Sequence, residues 1–350
     1  MGRKALFMVV AAAFIISCSR TPEVSIKKLT LVYSGNIGGR KNPCGCKPPM
    51  GGFARRSTII DAVRDQYDNM LIVDSGAILY PGLFLSPPYN YPLRIDGRVS
   101  AQAVSMIGID ALNVSSFDLA NSVDSLLATG KDNSLPLFSA NLIWKDSGKL
   151  VFPPDTITKK GNLRIGIFGV MADNFMGTPL FTADSPLAVL DMMDAAKQEV
   201  SRLGAECDIV VALAYMGKDE VNRLLENVSG IAVLVHSHNG YHNPSSDPVA
   251  FAPYTKGKTI VVRCPDGGRV LGYLELVVVN GSTDFTEIED NPYKIQDEEE
   301  FIQEKLKTGS TFVNRFVELS PAVKSDTTVQ TVLDSVDGVI KAYKDSLHIQ

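Results

Sequence analysis

The chain has 350 residues and a formal net charge of −5, from 34 Lys and Arg against 39 Asp and Glu. That mild acidity excludes a basic nucleic-acid-binding surface as an organising feature, so no nucleic-acid partner is expected. With 45% apolar residues and a single Trp the chain reads as globular, and five cysteines in this length exclude a disulfide framework.

The first residues suggest an address. Arg3 and Lys4 precede an apolar run over 5–17 that is short for a bilayer span, and the run ends in "IISC". This resembles a bacterial lipoprotein signal. It implies a leader over 1–17, lipidation of Cys18, and a tether over 18–28; an ordinary signal peptide is the other reading. Lipid would then be the membrane partner, on the periplasmic or extracellular face. Ser19 is not acidic, which favours the outer membrane in a Gram-negative host.

Short apolar runs follow at 29–33, 70–73, 111–114, 163–170, 209–214, 231–235, 259–262 and 271–279. Bounded by Gly, Pro or Asp, they predict buried strands. Phe53, Ile59, Ile60, Val63 and Tyr67 fall on one helical face, as do Val189, Met192, Met193, Ala196, Val200 and Leu203. A further helix is predicted over 219–225. The order is that of an α/β domain with mixed sheets. The acidic stretch around "QDEEEF" marks a boundary, giving one domain over 29–285 and a helical tail over 286–350. In that tail Val329, Val332, Leu333, Val336, Ile340 and Tyr343 predict one amphipathic helix. Cys207 and Cys264 abut apolar runs and are expected to be small core residues.

Several segments then carry a resemblance when taken in order. They are "LTLVYSGNIGG", "GGFARRSTIIDAVR", "MLIVDSGA", "IGIDALNVSSFDLA", "LPLFSANL", "GNLRIGIFGVMA", "DIVVALAYMG" and "GIAVLVHSHNG". Together they resemble the 5′-nucleotidase branch of the calcineurin-like metallophosphoesterases. The resemblance implies a four-layer α/β/β/α sandwich with mixed sheets. It also implies two divalent metals held at strand ends, which activate a water and clamp phosphoryl oxygens. The motif positions that should supply ligands are largely changed. Asn36 stands in a stretch without Asp or His, and Ala77 stands where a bridging Asp is expected. Ser115, Ser116 and Phe117 replace an Asn-His pair, and Tyr215 replaces a His. His236 and His238 persist, and Asp74 and Asp118 are either vestigial ligands or caps. A degenerate two-metal site is the expectation.

The loop "GNIGGRKNPCGCKPPMGGFARR" adds a second chemistry. Nucleotidase-like lipoproteins with C-G-C before a G-G-x-A-R-R helix are similar here, and some of them carry selenocysteine in place of a cysteine. That resemblance implies an active sulfur and brings Cys44, Cys46, His236 and His238 to one edge. Two thiols and two imidazoles suit Zn²⁺ or Cu⁺ rather than Mg²⁺. Arg40, Lys41 and Lys47 would favour a thiolate for redox exchange. A plain disulfide staple is the third reading. Cys44 and Cys46 are thus the candidate reactive pair, acting in thiol redox or soft-metal binding with an unidentified redox partner or small-molecule ligand. The alternatives are a phosphoesterase with a residual metal at His236 and His238, or a binding module without catalysis. Arg55 and Arg56 open a helix whose N-terminus could hold an anion, though a solvated helix face is the plainer expectation.

Overall fold

A computed structural model describes residues 24–81, 88–172, 184–237, 251–289 and 298–347. Cys18, the leader and His238 lie outside the described residues. The first half of the chain gives β1 (Ile26–Ser34), α1 (Phe53–Gln66), β2 (Met70–Asp74), α2 (Tyr91–Ile107), β3 (Ala111–Asn113), α3 (Val123–Asp132), β4 (Leu137–Phe138), β5 (Leu142–Trp144), β6 (Asp155–Lys160) and β7 (Leu163–Met171). Then follow β8 (Leu187–Val189), α4 (Met192–Gly204), β9 (Ile209–Tyr215), α5 (Lys218–Asn227), β10 (Val233–Ser237), β11 (Tyr254–Lys256), β12 (Thr259–Val262) and β13 (Val270–Val279). The C-terminal part holds β14 (Phe285–Glu287), α6 (Glu298–Thr308), β15 (Ser310–Glu318), α7 (Thr327–Asp334) and α8 (Asp337–Ser346). Each of the eight apolar runs falls on a strand.

Two mixed sheets carry the fold. One has the order β14-β15-β13-β1-β2-β3-β4, the other β11-β12-β10-β9-β7-β6. β1, β2, β3 and β4 are parallel neighbours, and β13 and β15 add antiparallel strands on the far side of β1. In the second sheet β7, β9, β10 and β12 run parallel, with β6 and β11 antiparallel at the edges.

Strand alternation explains the layering. Leu29, Leu31 and Tyr33 of β1 meet Ile165 and Ile167 of β7 and Val211 and Leu213 of β9 in a core between the sheets. The opposite side of β1 presents Val32 to a core that includes Phe53 and Ile60 of α1 and Val104 of α2. On the second sheet Phe168, Val210 and Ala212 join Leu203 of α4 and Leu224 of α5. Helices therefore cover both outer faces, giving the four-layer α/β/β/α sandwich. A strand buried on both sides needs no polar alternation, which is why these runs read as continuous apolar stretches.

The segment after 285 departs from the expected helical tail. β15 pairs antiparallel with β13 from Val270↔Glu318 to Val277↔Thr311, so it belongs to the larger sheet. Its polar residues hide it from a periodicity reading. Asn314 accepts from the Tyr33 hydroxyl at 2.7 Å, and Arg315 donates to Glu275 at 2.8 Å. The single amphipathic helix predicted beyond it is two helices. Ser335 ends α7, its hydroxyl donating back to the Val332 carbonyl at 2.6 Å. No helix among the described residues is long and apolar enough to cross a membrane.

Candidate functional site

The carboxyl ends of β1, β2, β3, β9 and β10 meet at one edge, where open α/β sheets build their ligand sites. Ser34 ends β1 and donates to Asp74 Oδ2 at 2.5 Å; the other Asp74 oxygen accepts the Gly76 N–H at 2.8 Å. Burial raises the Asp74 carboxyl to a pKa of about 6, although those two donors and the Arg56 charge act against it. Asn113 cross-ties the sheets, its amide donating at 3.1 Å to the carbonyls of Ser75 and Val170. Ser237, after His236 on β10, donates to the same Ser75 carbonyl at 3.2 Å. Space there is tight: a Cβ on Gly35 would stand 2.2 Å from Ser75 Oγ.

Asp118 organises the other half of the edge. Its carboxylate accepts the N–H groups of Ala77, Ile78 and Leu79 at 2.9, 3.1 and 3.1 Å. It also accepts the Ser115 N–H at 3.1 Å and hydroxyl at 2.7 Å. Five donors fill its lone-pair positions. Even so, burial pushes its pKa up. The clamp holds Ala77 at φ 62, left-handed backbone that a non-glycine residue adopts only under such restraint. Of the two readings offered by the sequence for Asp118, the geometry is that of a cap.

Tyr215 ends β9, fully buried, with its ring 6.1 Å from that of Phe117. Burial first, then the Asp118 charge, holds its phenol above the ordinary tyrosine range. His236 is buried beside Ala214 in the β9–β10 register. Asn36, at φ 53, acts through its backbone: its N–H donates to the Gly76 carbonyl at 2.8 Å, and its carbonyl accepts the Gly267 N–H at 2.9 Å.

The cysteine loop has its own set of anchors. Cys44 and Cys46 are disulfide-linked with Cα atoms 5.2 Å apart. Cys44 N–H donates to the Met50 carbonyl at 2.8 Å, and Met50 N–H returns to Cys44 Sγ at 3.3 Å. Gly51 N–H reaches the Leu319 carbonyl at 2.8 Å, beyond β15. Lys41 pairs with Asp96 at 2.9 Å and Asp337 at 2.7 Å, tying the loop to α2 and α8. Among the described residues no three His, Cys, Asp or Glu side chains converge on a point that could hold a metal. The described residues do not bring Cys44, Cys46 and His236 together as a metal-binding group, and His238, the fourth member of the expected Zn²⁺ or Cu⁺ set, lies outside the described residues. Cys264 is buried and donates to the Tyr33 carbonyl at 3.3 Å, with its thiol pushed up to about 12 by burial. Cys207 is half-buried against the core.

The donors present decide whether the two divalent metals implied by the resemblance could be held. Asp118 is spent on five internal donors, the Ala77 side chain has no lone pair, and Tyr215 presents a buried neutral phenol, which leaves Asp74 with open lone pairs but no second open carboxylate beside it. These residues do not fit a dinuclear centre. Arg56 departs most from the sequence reading. It is 2% exposed rather than on a solvated face, and burial lowers its pKa.

This architecture is that of the calcineurin-like phosphoesterases. A 5′-nucleotidase precursor from Thermus thermophilus superposes with a TM-score of 0.68 at 19% identity, covering 90% of this chain and 59% of that one. The calcineurin-like phosphoesterase YfkN from Bacillus subtilis gives 0.66 at 18%, covering 91% of this chain and 100% of that one. In sequence the chain is 28% identical over 251 residues to a 5′-nucleotidase from Diplobatis ommata, 66% of this chain but 41% of that relative. It is a distant homologue of the 5′-nucleotidases within the calcineurin-like metallophosphoesterase superfamily. No family model matches the sequence.

Proposed function

We propose that this protein uses a nucleotidase-like fold as a binding module and does not carry out two-metal phosphoester hydrolysis. One observation carries the reading: Asp118, the buried carboxylate at the strand-end edge, is already engaged by five donors from Ser115 and the 77–79 backbone. A carboxylate whose lone pairs are filled by fixed donors has none left for a cation without breaking that structure. The linked Cys44–Cys46 pair is then a staple that shapes the loop bordering the module. The N-terminal pattern supports display on a membrane surface through a lipidated Cys18.

The homology to 5′-nucleotidases favours a second reading, a metal-dependent phosphoesterase with a remodelled site. Its remaining candidates are His236 and His238. The assay that separates the two measures release of phosphate from nucleoside monophosphates and of nitrophenol from p-nitrophenyl esters, with Mn²⁺, Co²⁺ or Zn²⁺. The binding-module reading expects turnover at background. Robust metal-dependent turnover, lost in His236→Ala, would replace it with the second reading.

A further inference from the structure

α4 and the edge strand β6 meet through carboxyl groups. Glu199 is 4% exposed on the buried side of α4, and Asp155 opens β6. The two side chains are hydrogen-bonded to each other. Ionised carboxylates only accept, so a hydrogen bond between two of them needs one proton. Arg202, three residues along α4, lays its Nη2 against Asp155 Oδ2, and the same nitrogen stands 3.5 Å from Glu199 Oε2. Both carboxyl groups therefore crowd one nitrogen.

Counting charges leads to the same proton. Arg202 Nη1 lies 3.8 Å from Glu206, which Arg164 of β7 reaches at 3.5 Å. The cluster thus sets three carboxyl groups against two guanidinium groups, and one proton makes it neutral. The other surfaces packed on α4 add no third cation. Arg164 is the one charged residue of β7, β9 has none, and α5 buries Val221 and Leu224. On β6, Lys159 alternates onto the same side as Asp155 but four residues further on, where it is exposed. Burial first, then the hydrogen bond and charge of Asp155, raises the Glu199 carboxyl to about 7, with Arg202 acting against them. Its contribution to stability is therefore full below the ordinary glutamate value of 4.5 and is lost as pH rises through about 7.

We propose that Glu199 and Asp155 share one proton that fastens α4 to β6, making this seam a pH-sensitive device that tightens in mild acid and loosens in mild alkali. Once the proton leaves, two like charges in contact share a guanidinium that is itself 42% exposed. The proton belongs to the pair rather than to either residue. From α4 the chain passes into β9, which ends at Tyr215 on the strand-end edge, so the seam bears on a strand of that edge. The inference does not depend on the binding-module reading.

The test is hydrogen exchange read by mass spectrometry on the purified full-length protein between pH 5.5 and 8.5, with each rate corrected for the intrinsic effect of pH on exchange. Protection of 192–204 in the wild type is divided by that in Glu199→Gln, which keeps a donor for Asp155 and has no proton to lose. Taking the ratio cancels titrations elsewhere in the fold, Asp74 included. It should fall about tenfold across the range. Asp155→Asn should remove most of the pH dependence too, and Arg202→Gln should move the midpoint to higher pH. A ratio that stays constant overturns the proposal, and so does a full pH dependence retained in Asp155→Asn. Carbon-13 NMR of the wild type with labelled glutamate carboxyl groups covers a variant that does not fold: a glutamate titrating near pH 7 is expected, and none titrating above pH 6 overturns the proposal.

Discussion

Replacing Asp118 by Ala tests the clamp directly. The substitution orphans the N–H groups of Ala77, Ile78 and Leu79, three consecutive donors on residues no more than 1% exposed. It also removes the acceptor for the Ser115 hydroxyl. Each orphaned buried donor costs about 1–3 kcal/mol, and water entering the vacated space recovers part of that. A net loss of roughly 3–6 kcal/mol follows, against a total stability on the order of 5–15 kcal/mol for a folded domain. Asp118→Asn keeps one acceptor for Ile78 and Leu79 but turns a donor toward Ala77 and Ser115, so about half that loss is expected. Urea unfolding followed by circular dichroism at pH 7.5 reads both variants, as a lower midpoint at unchanged slope. Repeating the wild-type curve with Mn²⁺ or Zn²⁺ adds the functional arm: a clamp gains nothing from metal, whereas a ligand would. An Asp118→Ala protein within about 1 kcal/mol of wild type would refute the clamp, and so would a metal-induced rise in stability that Asp118→Ala abolishes.

Asp74 predicts a pH dependence of definite sign. With its folded pKa at about 6 against an ordinary aspartate value of 3.8, the folded state holds the proton more tightly, so the Asp74 contribution to stability is full below pH 3.8 and is lost as pH rises through about 6. The contribution is on the order of 3 kcal/mol and is read as the difference in unfolding free energy between wild type and Asp74→Asn across that window; parallel curves would contradict it. Site-resolved alkylation should leave Cys44 and Cys46 unlabelled until a mild reductant is added and Cys264 unlabelled throughout. Labelling of the pair without reductant would show free thiols. The intact mass of membrane-extracted protein should report a lipid-modified Cys18 as the N-terminus, and Cys18→Ala should leave the membrane fraction; retention there would exclude the anchor.

How much of this was legible before the structure depended on where each residue's partners lie. The strands of the two parallel cores announced themselves because both faces are buried and no partner needs to be known. β15 did not, because Asn314 and Arg315 look solvated until Tyr33 and Glu275 are set opposite them. The same holds for the site. Ala77 and Tyr215 were readable as departures from the expected ligand types through the resemblance alone. That Asp118 closes on 77–79 was not, since the donors lie 39–41 residues away and only the loop geometry delivers them. Arg56 is the instructive miss. The pair Arg55–Arg56 reads as one basic patch, yet successive helical residues point about 100° apart. The spacing Phe53, Arg56, Ile60, Val63 already put Arg56 on the apolar stripe, and that signal was available in the sequence.

What separates a metal centre from this edge is what its groups are already bound to. A dinuclear centre needs several anionic donors left open to a cation. Here Asp118 is interior and saturated by five donors. The basic residues of the loop entering α1 are committed in the same way: Lys41 pairs with Asp96 and Asp337, Arg55 donates to the carbonyls of Pro49 and Leu319, and Arg56 lies beside the Asp74 charge. The loop's sequence charge is therefore spent largely inside the fold, and the same internal pairing that saturates Asp118 is what a metal would have to break.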